Sequence, residues 1–568
     1  MRKNQQQNGV WKLPLGWMAT IITTIGLLGI SSQAAAFKVD TSPEWTVNWD
    51  NSILYNLGIR TQNIHSSIGN NPAYSESDYK FPNRGDVVMN RIQNLSEIDI
   101  DYMQKYGARL SGSIWKDYAY NSSVVEHNPL LSPALYGNRS DGHYHHYTER
   151  YYEQGAEFLD AFVYANFTLN NQPGSFRIGR LTQFWGNALF YGGLGISYAQ
   201  NPTDGLKGLQ APGSTAKELL LPRLQVLMQV GLTDSVSVSG QVFGEWRQNR
   251  LPEGGTFFGG PPGFQWIGPD RFSLAPGFFV KRGNDVKPDG NAEDWGVKLD
   301  WRVEALNGGN VGFYYRKLSE TQPWFLITPN LSEAHQAFGK DVTLYGISLD
   351  TSLGDDSVGI EASVRKDTAL YSSAVALPTD PLATEAATGN TFQLLYNQLG
   401  AMPSSPLYSV GSYGFEFAYQ RLLSVTKNKS MFAGINTPAC PGGVKEGCST
   451  KNSLGMAVTV KPMWLGVFPG VNLDMPMFLQ YQLKGNTLVR SSGTKEKNLT
   501  YSIGLHAQVN GRYDATLTYT GFHAPEHGQG GKECVNPAGN YYCGEIGATG
   551  FGIWNDRARL ILTLATTF

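Results

Sequence analysis

Three histidines crowd one stretch of this chain: His143, His145 and His146, with Asp141 and Glu149 close by. Imidazoles and carboxylates at that spacing could hold a transition metal or pass a proton. A surface lipase or protease would need a Ser-His or Asp-His group near a rim, and the nine histidines do not suggest one. The stretch 119–156 around the three histidines reads as a solvated loop, with adventitious metal binding as the alternative. His506 falls on the wet side of a strand and reads as a lining residue. The expectation is therefore no catalytic group, no resident metal and no cofactor. Four cysteines fall as two close pairs, Cys440 with Cys448 and Cys534 with Cys543, both in Gly/Pro/Asn-rich loops. In an exported protein two local disulfides are expected, because there is no Cys-x-x-Cys spacing and no histidine beside either pair.

What positions the charged residues is a two-residue period. Trp295, Val297, Leu299, Trp301 and Val303 alternate with Lys298, Asp300, Arg302 and Glu304. Trp45, Val47, Trp49, Ile53, Tyr55, Leu57 and Ile59 alternate in the same way with Thr46, Asn48, Asp50, Asn56 and Arg60, Leu54 being the exception. Alternation of this kind is the mark of a strand with one apolar face. Turns such as Thr233-Asp234-Ser235, Asn307-Gly308-Gly309 and Asn510-Gly511 join successive strands as hairpins. The last strand, 558–568, has Ala558, Leu560, Leu562, Leu564 and Phe568 on one parity. It resembles the C-terminal assembly signal of bacterial outer-membrane β-barrels, with Phe568 as the signal residue and Thr566 as a departure.

The other end is an export signal. Arg2, Lys3 and Lys12 precede an apolar stretch from Trp17 to Ile30, and Ala34-Ala35-Ala36 supplies the small residues of a cleavage site. Residues 1–36 are expected to be removed, leaving 37–568 as one barrel domain. The apolar stretch is shorter than the roughly 20 residues of a membrane helix, and no other segment reaches its length, so membrane residence must be as a barrel. The chain has 568 residues, with 65 Gly, 29 Tyr, 27 Phe and 13 Trp. Its mean hydropathy of −0.28 suits strands that average a lipid face with a wet face. The net charge of −2 gives no hint of a nucleic-acid partner.

Short turns alternate with long loops at roughly 62–89, 119–156, 185–221, 249–293, 319–340, 367–407, 424–452 and 523–554, the pattern of an outer-membrane barrel. Parity between the two rims requires one extra strand inside 367–407, with Thr391–Asn397 as the candidate. The expected fold is all-β: a transmembrane antiparallel barrel of 18 strands, or 16, with long extracellular loops. On the wet parity lie Glu97, Asp99, Asp101, Arg109, Lys298, Asp300, Arg316, Glu361, Arg365, Glu416, Asp514 and Arg559, among others, mixed in sign. Mutual neutralisation across neighbouring strands would account for them. Aromatics share that parity: Trp115, Phe158, Phe162, Tyr164, Phe243, Tyr314 and Phe478. They could pack a plug or form a greasy track. The glycine-rich stretch 185–221 is expected to fold into the barrel. Trp185, Phe190, Tyr191 and Tyr198 on it, with Phe162, Tyr164, Arg177 and Phe243 on the wall, are the candidate solute contacts.

The segment after Arg177 carries a more specific signal. It reads Arg177-Ile178-Gly179-Arg180, Gln183-Phe184-Trp185-Gly186, Asn201-Pro202-Thr203-Asp204, Pro212-Gly213 and Leu221-Pro222, followed by Glu245-Trp246 and Pro252 to Phe258. With Trp295-Gly296 and Pro469-Gly470, this resembles the proteobacterial outer-membrane family called domain of unknown function 1302, over essentially the whole mature chain. The resemblance implies an outer-membrane barrel that passes hydrophobic or lipid-like small molecules, beside a periplasmic lipid-handling protein and an inner-membrane efflux-type permease. Outer-membrane lipid, lipopolysaccharide and the barrel assembly machinery would be its other partners. The alternatives are a general or substrate-selective porin for small polar solutes and a surface adhesin or receptor.

Overall fold

The computed structural model describes residues 37–65, 80–121, 143–144, 146–253, 255–259, 271–275, 278–288, 294–328, 330–372, 385–489, 491, 494–525 and 554–568, with backbone alone at 37–41, 271–275 and 278–279. The expected signal peptide 1–36, His145, Cys534 and Cys543 lie outside the described residues.

The strands run in chain order as β1 (Trp45–Arg60), β2 (Val87–Tyr102), β3 (Tyr106–Asp117), β4 (Gln154–Leu169), β5 (Gln172–Leu181) and β6 (Arg223–Gly231). Then come β7 (Val236–Phe243), β8 (Trp295–Val303), β9 (Gly309–Leu318), β10 (Val342–Leu353), β11 (Asp356–Ala369) and β12 (Thr388–Met402). The last six are β13 (Val410–Lys427), β14 (Asn452–Phe468), β15 (Val471–Asp474 continued by Met477–Lys484), β16 (Leu499–Val509), β17 (Tyr513–His523) and β18 (Arg559–Thr567). Each pairs antiparallel with the next, and β18 returns to β1 with Thr567 opposite Ser52 and Arg559 opposite Arg60. The ring of 18 is closed, so no backbone edge faces the surroundings. A short strand, Phe37–Ser42, continues the line of β18 along the lower edge of β1, Phe37 lying opposite Trp49. Among the described residues no helix is long and apolar enough to cross a membrane.

The two faces of the wall are inverted relative to a water-soluble protein. Ile92, Ile114, Val163, Met228, Phe313, Ile347, Leu505, Leu517 and Leu564 stand exposed on the outside. Asn56, Arg91, Gln93, Gln225, Gln241, Arg316, Glu361, Gln393 and Glu416 are buried inside. Only a surrounding apolar solvent makes that arrangement favourable, and a bilayer supplies it. At the rim of short turns, exposed Trp45, Trp49, Tyr106, Trp301, Phe468, Tyr513 and Phe568 form an aromatic girdle. Hairpin turns there include Asn170-Asn171 (φ 50° and 63°) and Asn510-Gly511 (φ 53° and 65°), the left-handed pairs that match the twist of adjoining strands.

Two expectations need correction. Phe158 does not face the lumen; it is 73 % exposed on the outer surface. The β3–β4 pairing shifts between Leu110 and Gly112, so β4 carries an extra residue opposite Ser111. That bulge reverses parity, and Phe162 and Tyr164 beyond it point inward. The long connections also include 485–498, which the sequence reading passed over because β15 is interrupted at Met475-Pro476. The strand placed at Thr391–Asn397 is the middle of β12. On the rim of long loops, Arg271–Ala275, Phe278–Arg282, Trp324–Ile327 and Glu333–Ala337 form a separate small sheet.

Candidate functional site

Between β5 and β6 the chain leaves the wall and crosses the lumen. Local sequence explains its compact course. Gly186 and Gly213 take φ of +87° and +92°, where other residues are strained. Asp204 caps a one-and-a-half-turn helix, Gly205–Gln210, by accepting the Lys207 N–H at 2.8 Å. Thr215 and Glu218 form a capping box at the next short helix, Ala216–Leu219.

Charged groups of the wall hold this segment by its backbone. Glu416 of β13 accepts the N–H groups of Leu189, Phe190 and Tyr191 at 2.9, 2.6 and 2.8 Å. Glu361 of β11 accepts those of Asn187, at 2.7 Å, and Ile196. The outgoing carbonyls are met by arginines: Arg316 donates to Ile196 and Tyr198 at 2.6 and 2.7 Å, and Arg365 to Gly193 and Gly195 at 2.9 and 2.8 Å. Ser491 donates to the Gly193 carbonyl at 2.7 Å, and Asn397 to that of Asn187 at 2.7 Å. A Cβ on Gly186 would lie 2.3 Å from Glu361 Oε2, so only glycine lets the segment approach this carboxylate. These buried charges thus answer peptide groups that would otherwise cross the lumen unsatisfied.

On the opposite side the segment reaches β1, β2, β4 and β18. Gln93 donates to Glu218 at 2.6 Å, Lys207 pairs with Glu157 at 3.0 Å, and Arg559 donates to the Leu209 carbonyl at 2.7 Å. Arg250, from the β7–β8 connection, binds Glu157 and Asp204 at 2.6 Å each. Burial raises the Glu218 carboxyl above its usual range, against the pull of Lys207. The Tyr198 hydroxyl is likewise pushed up by burial, and it donates to Glu320.

The candidate contacts separate into two groups. Trp185, Phe190, Tyr191, Tyr198 and Phe243 are each 6 % exposed or less. Trp185 lies against Tyr314, centroids 6.2 Å apart, in a cluster with Leu181, Ile196, Leu227 and Leu344 that Phe162 flanks. Phe190 packs on Phe478 at 5.4 Å, beside Leu395, Ala418 and Ala457. Arg223 covers the Phe243 ring at 3.9 Å, Arg365 covers Tyr198 at 4.6 Å, and Lys207 of the segment covers Trp115 at 5.2 Å. Tyr314, Phe478 and Trp115 are thus sockets for the in-folded segment, whereas Phe243 is covered from the wall itself. Tyr164 and Arg177 stand apart, opposite one another in the β4–β5 register, and Tyr164 donates to Asp101 at 2.5 Å. Cys440 and Cys448 are disulfide-bonded in the β13–β14 connection. His506 lies on the lumen face between Asp474 (2.7 Å) and Asp514 (3.0 Å).

Sequence reasoning did not single out Glu157, Asp204, Asp294 and Glu320 as anchors. Glu157 could have been found by parity ahead of the bulge in the chain, and Asp204 by its cap position before Gly205. Glu320 and Asp294 sit in long connections without periodicity. Asp294 binds Arg223 at 2.7 Å.

The chain is similar in fold to the outer membrane protein OpdK from Pseudomonas aeruginosa (9 % identity, 92 % of this chain and 98 % of that one, TM-score 0.41). It is also similar to OccAB4 from Acinetobacter baumannii (8 %, 93 % and 99 %, 0.42) and to OpdK crystallised with vanillate (11 %, 92 % and 98 %, 0.40). Among curated proteins none matches. The model of the family described as "Protein of unknown function (DUF1302)" matches residues 17–568, and the chain belongs to that family.

Proposed function

We propose that this barrel resides in the outer membrane and passes small hydrophilic solutes along a route narrowed by the in-folded segment 182–222. One observation carries the reading. The polar inner face is built from ionic and amide side chains, while Trp115, Tyr314 and Phe478, which could have formed an apolar track, are buried against the segment. Below the segment, toward the short-turn rim, Asp99, Lys298 and Asp300 keep water contact, as a solute path needs. Passage of a hydrophobic or lipid-like solute, with periplasmic and inner-membrane partners, keeps the family resemblance as its support. That reading would need apolar side chains open to the lumen, and Trp185, Phe190 and Tyr198 are covered.

Liposome swelling with the purified mature barrel tests the proposal. Amino acids and small sugars are expected to enter at rates that fall with solute size. Impermeability to all of them, together with saturable binding of a long-chain fatty acid, would overturn it in favour of the hydrophobic solute.

A further inference from the structure

Beneath the short helix Ala216–Leu219 the wall carries more negative charge than its neighbours neutralise. Arg109 of β3 is shared by three carboxylates: Glu97, Asp99 at 3.4 Å and Asp160 at 3.4 Å. Asp50 of β1 adds a fourth and stands directly across from Glu97 in the β1–β2 register. Like charges opposed across two strands destabilise a sheet, so packing alone gives no reason for them.

Two further observations point to a ligand. Asp160 is 8 % exposed and its Oδ1 is buried with no hydrogen-bond partner, although its other oxygen faces Arg109; the buried Oδ1 of Asp50 is also without one. Moreover, an ammonium group already occupies one corner. Lys217, reaching down from the in-folded segment, places Nζ 3.1 and 3.4 Å from the two oxygens of Glu97. With four carboxylates against Arg109 and Lys217, a surplus of two negative charges remains. The cluster is open to water, since Asp99 is 38 % exposed.

We propose that Asp50, Glu97, Asp99 and Asp160 form a binding site for the ammonium group of a small amine, and that this site makes the passage cation-selective. Lys217 is then a tethered competitor for Glu97. The selectivity clause rests on the conduction reading above; the binding clause does not.

Two measurements on the full mature barrel test this. In a planar bilayer under a KCl gradient, the reversal potential is expected on the potassium side, and D50N/D99N should bring it close to zero. Chloride preference in the wild type, or an unmoved potential in the variant, overturns the selectivity. Calorimetric titration with putrescine in detergent needs no open pathway. D50N/D99N should bind about tenfold more weakly, the loss of one or two charged contacts, and K217Q more tightly. Heat-modifiable gel mobility confirms that each variant is folded. Binding in this order by a non-conducting barrel sinks the conduction reading and upholds the site. Conduction with no putrescine binding, or with binding unchanged in D50N/D99N, upholds the conduction reading and sinks the site.

Discussion

At Gly186 two constraints meet, a φ of +87° and a carboxylate where a Cβ would go. Gly186→Ala is expected to cost the docked segment about 1–3 kcal/mol of backbone strain, plus displacement of Glu361. Faster amide exchange over 187–196, with strand amides unchanged, would show it; protection equal to wild type would contradict it. Glu416→Gln removes a charged acceptor from three N–H groups. Local opening of the same residues should become easier by about 2–3 kcal/mol, the scale of losing charge-assisted bonds in a buried site. The sequence placed Glu361, Glu416, Arg316 and Arg365 on the lumen side by parity alone. Parity gives a face, however, and not a partner. Their role as anchors follows from where 187–198 lies, and a glycine-rich stretch without period carries no signal for that.

The strands themselves were legible, because each alternates and turns on residues such as Asn510-Gly511 that suit a hairpin. The β4 bulge was not. One extra residue has no compositional mark, yet it exchanges the faces of Phe158 and Phe162. The crossing segment was legible as a departure from the wall, through glycines such as Gly193, Gly205 and Gly213, but its sockets were not. Its second half is expected to respond to pH through Glu218. A carboxyl whose folded value is raised takes up a proton on docking. Its contribution is full below the ordinary carboxyl range and is lost as pH rises through the raised value. Amides 215–219 should therefore lose protection on going from acid to neutral pH, beyond the intrinsic change in exchange rate. Glu218→Gln should remove that difference, and a pH response that survives in the variant would exclude Glu218 as its source.

At the scale of the whole molecule, an apolar exterior, a polar interior and a closed ring imply a bilayer around the wall. Leu505→Arg, at mid-strand on the outer face of β16, should destabilise the barrel in lipid by about 2–4 kcal/mol. Ser502→Lys, on the inner face of the same strand, should cost far less. Denaturant titration of tryptophan fluorescence in vesicles gives both values, and equal costs would contradict the assignment of faces. The central claim is that segment 182–222, held by Glu361 and Glu416, is the barrier across the lumen. The most direct test compares single-channel conductance of the wild-type barrel with that of a barrel in which 187–220 is replaced by a short Gly-Ser linker, in the same bilayer and salt. A several-fold larger conductance in the shortened barrel is the predicted result; equal conductance would place the barrier elsewhere and contradict the account.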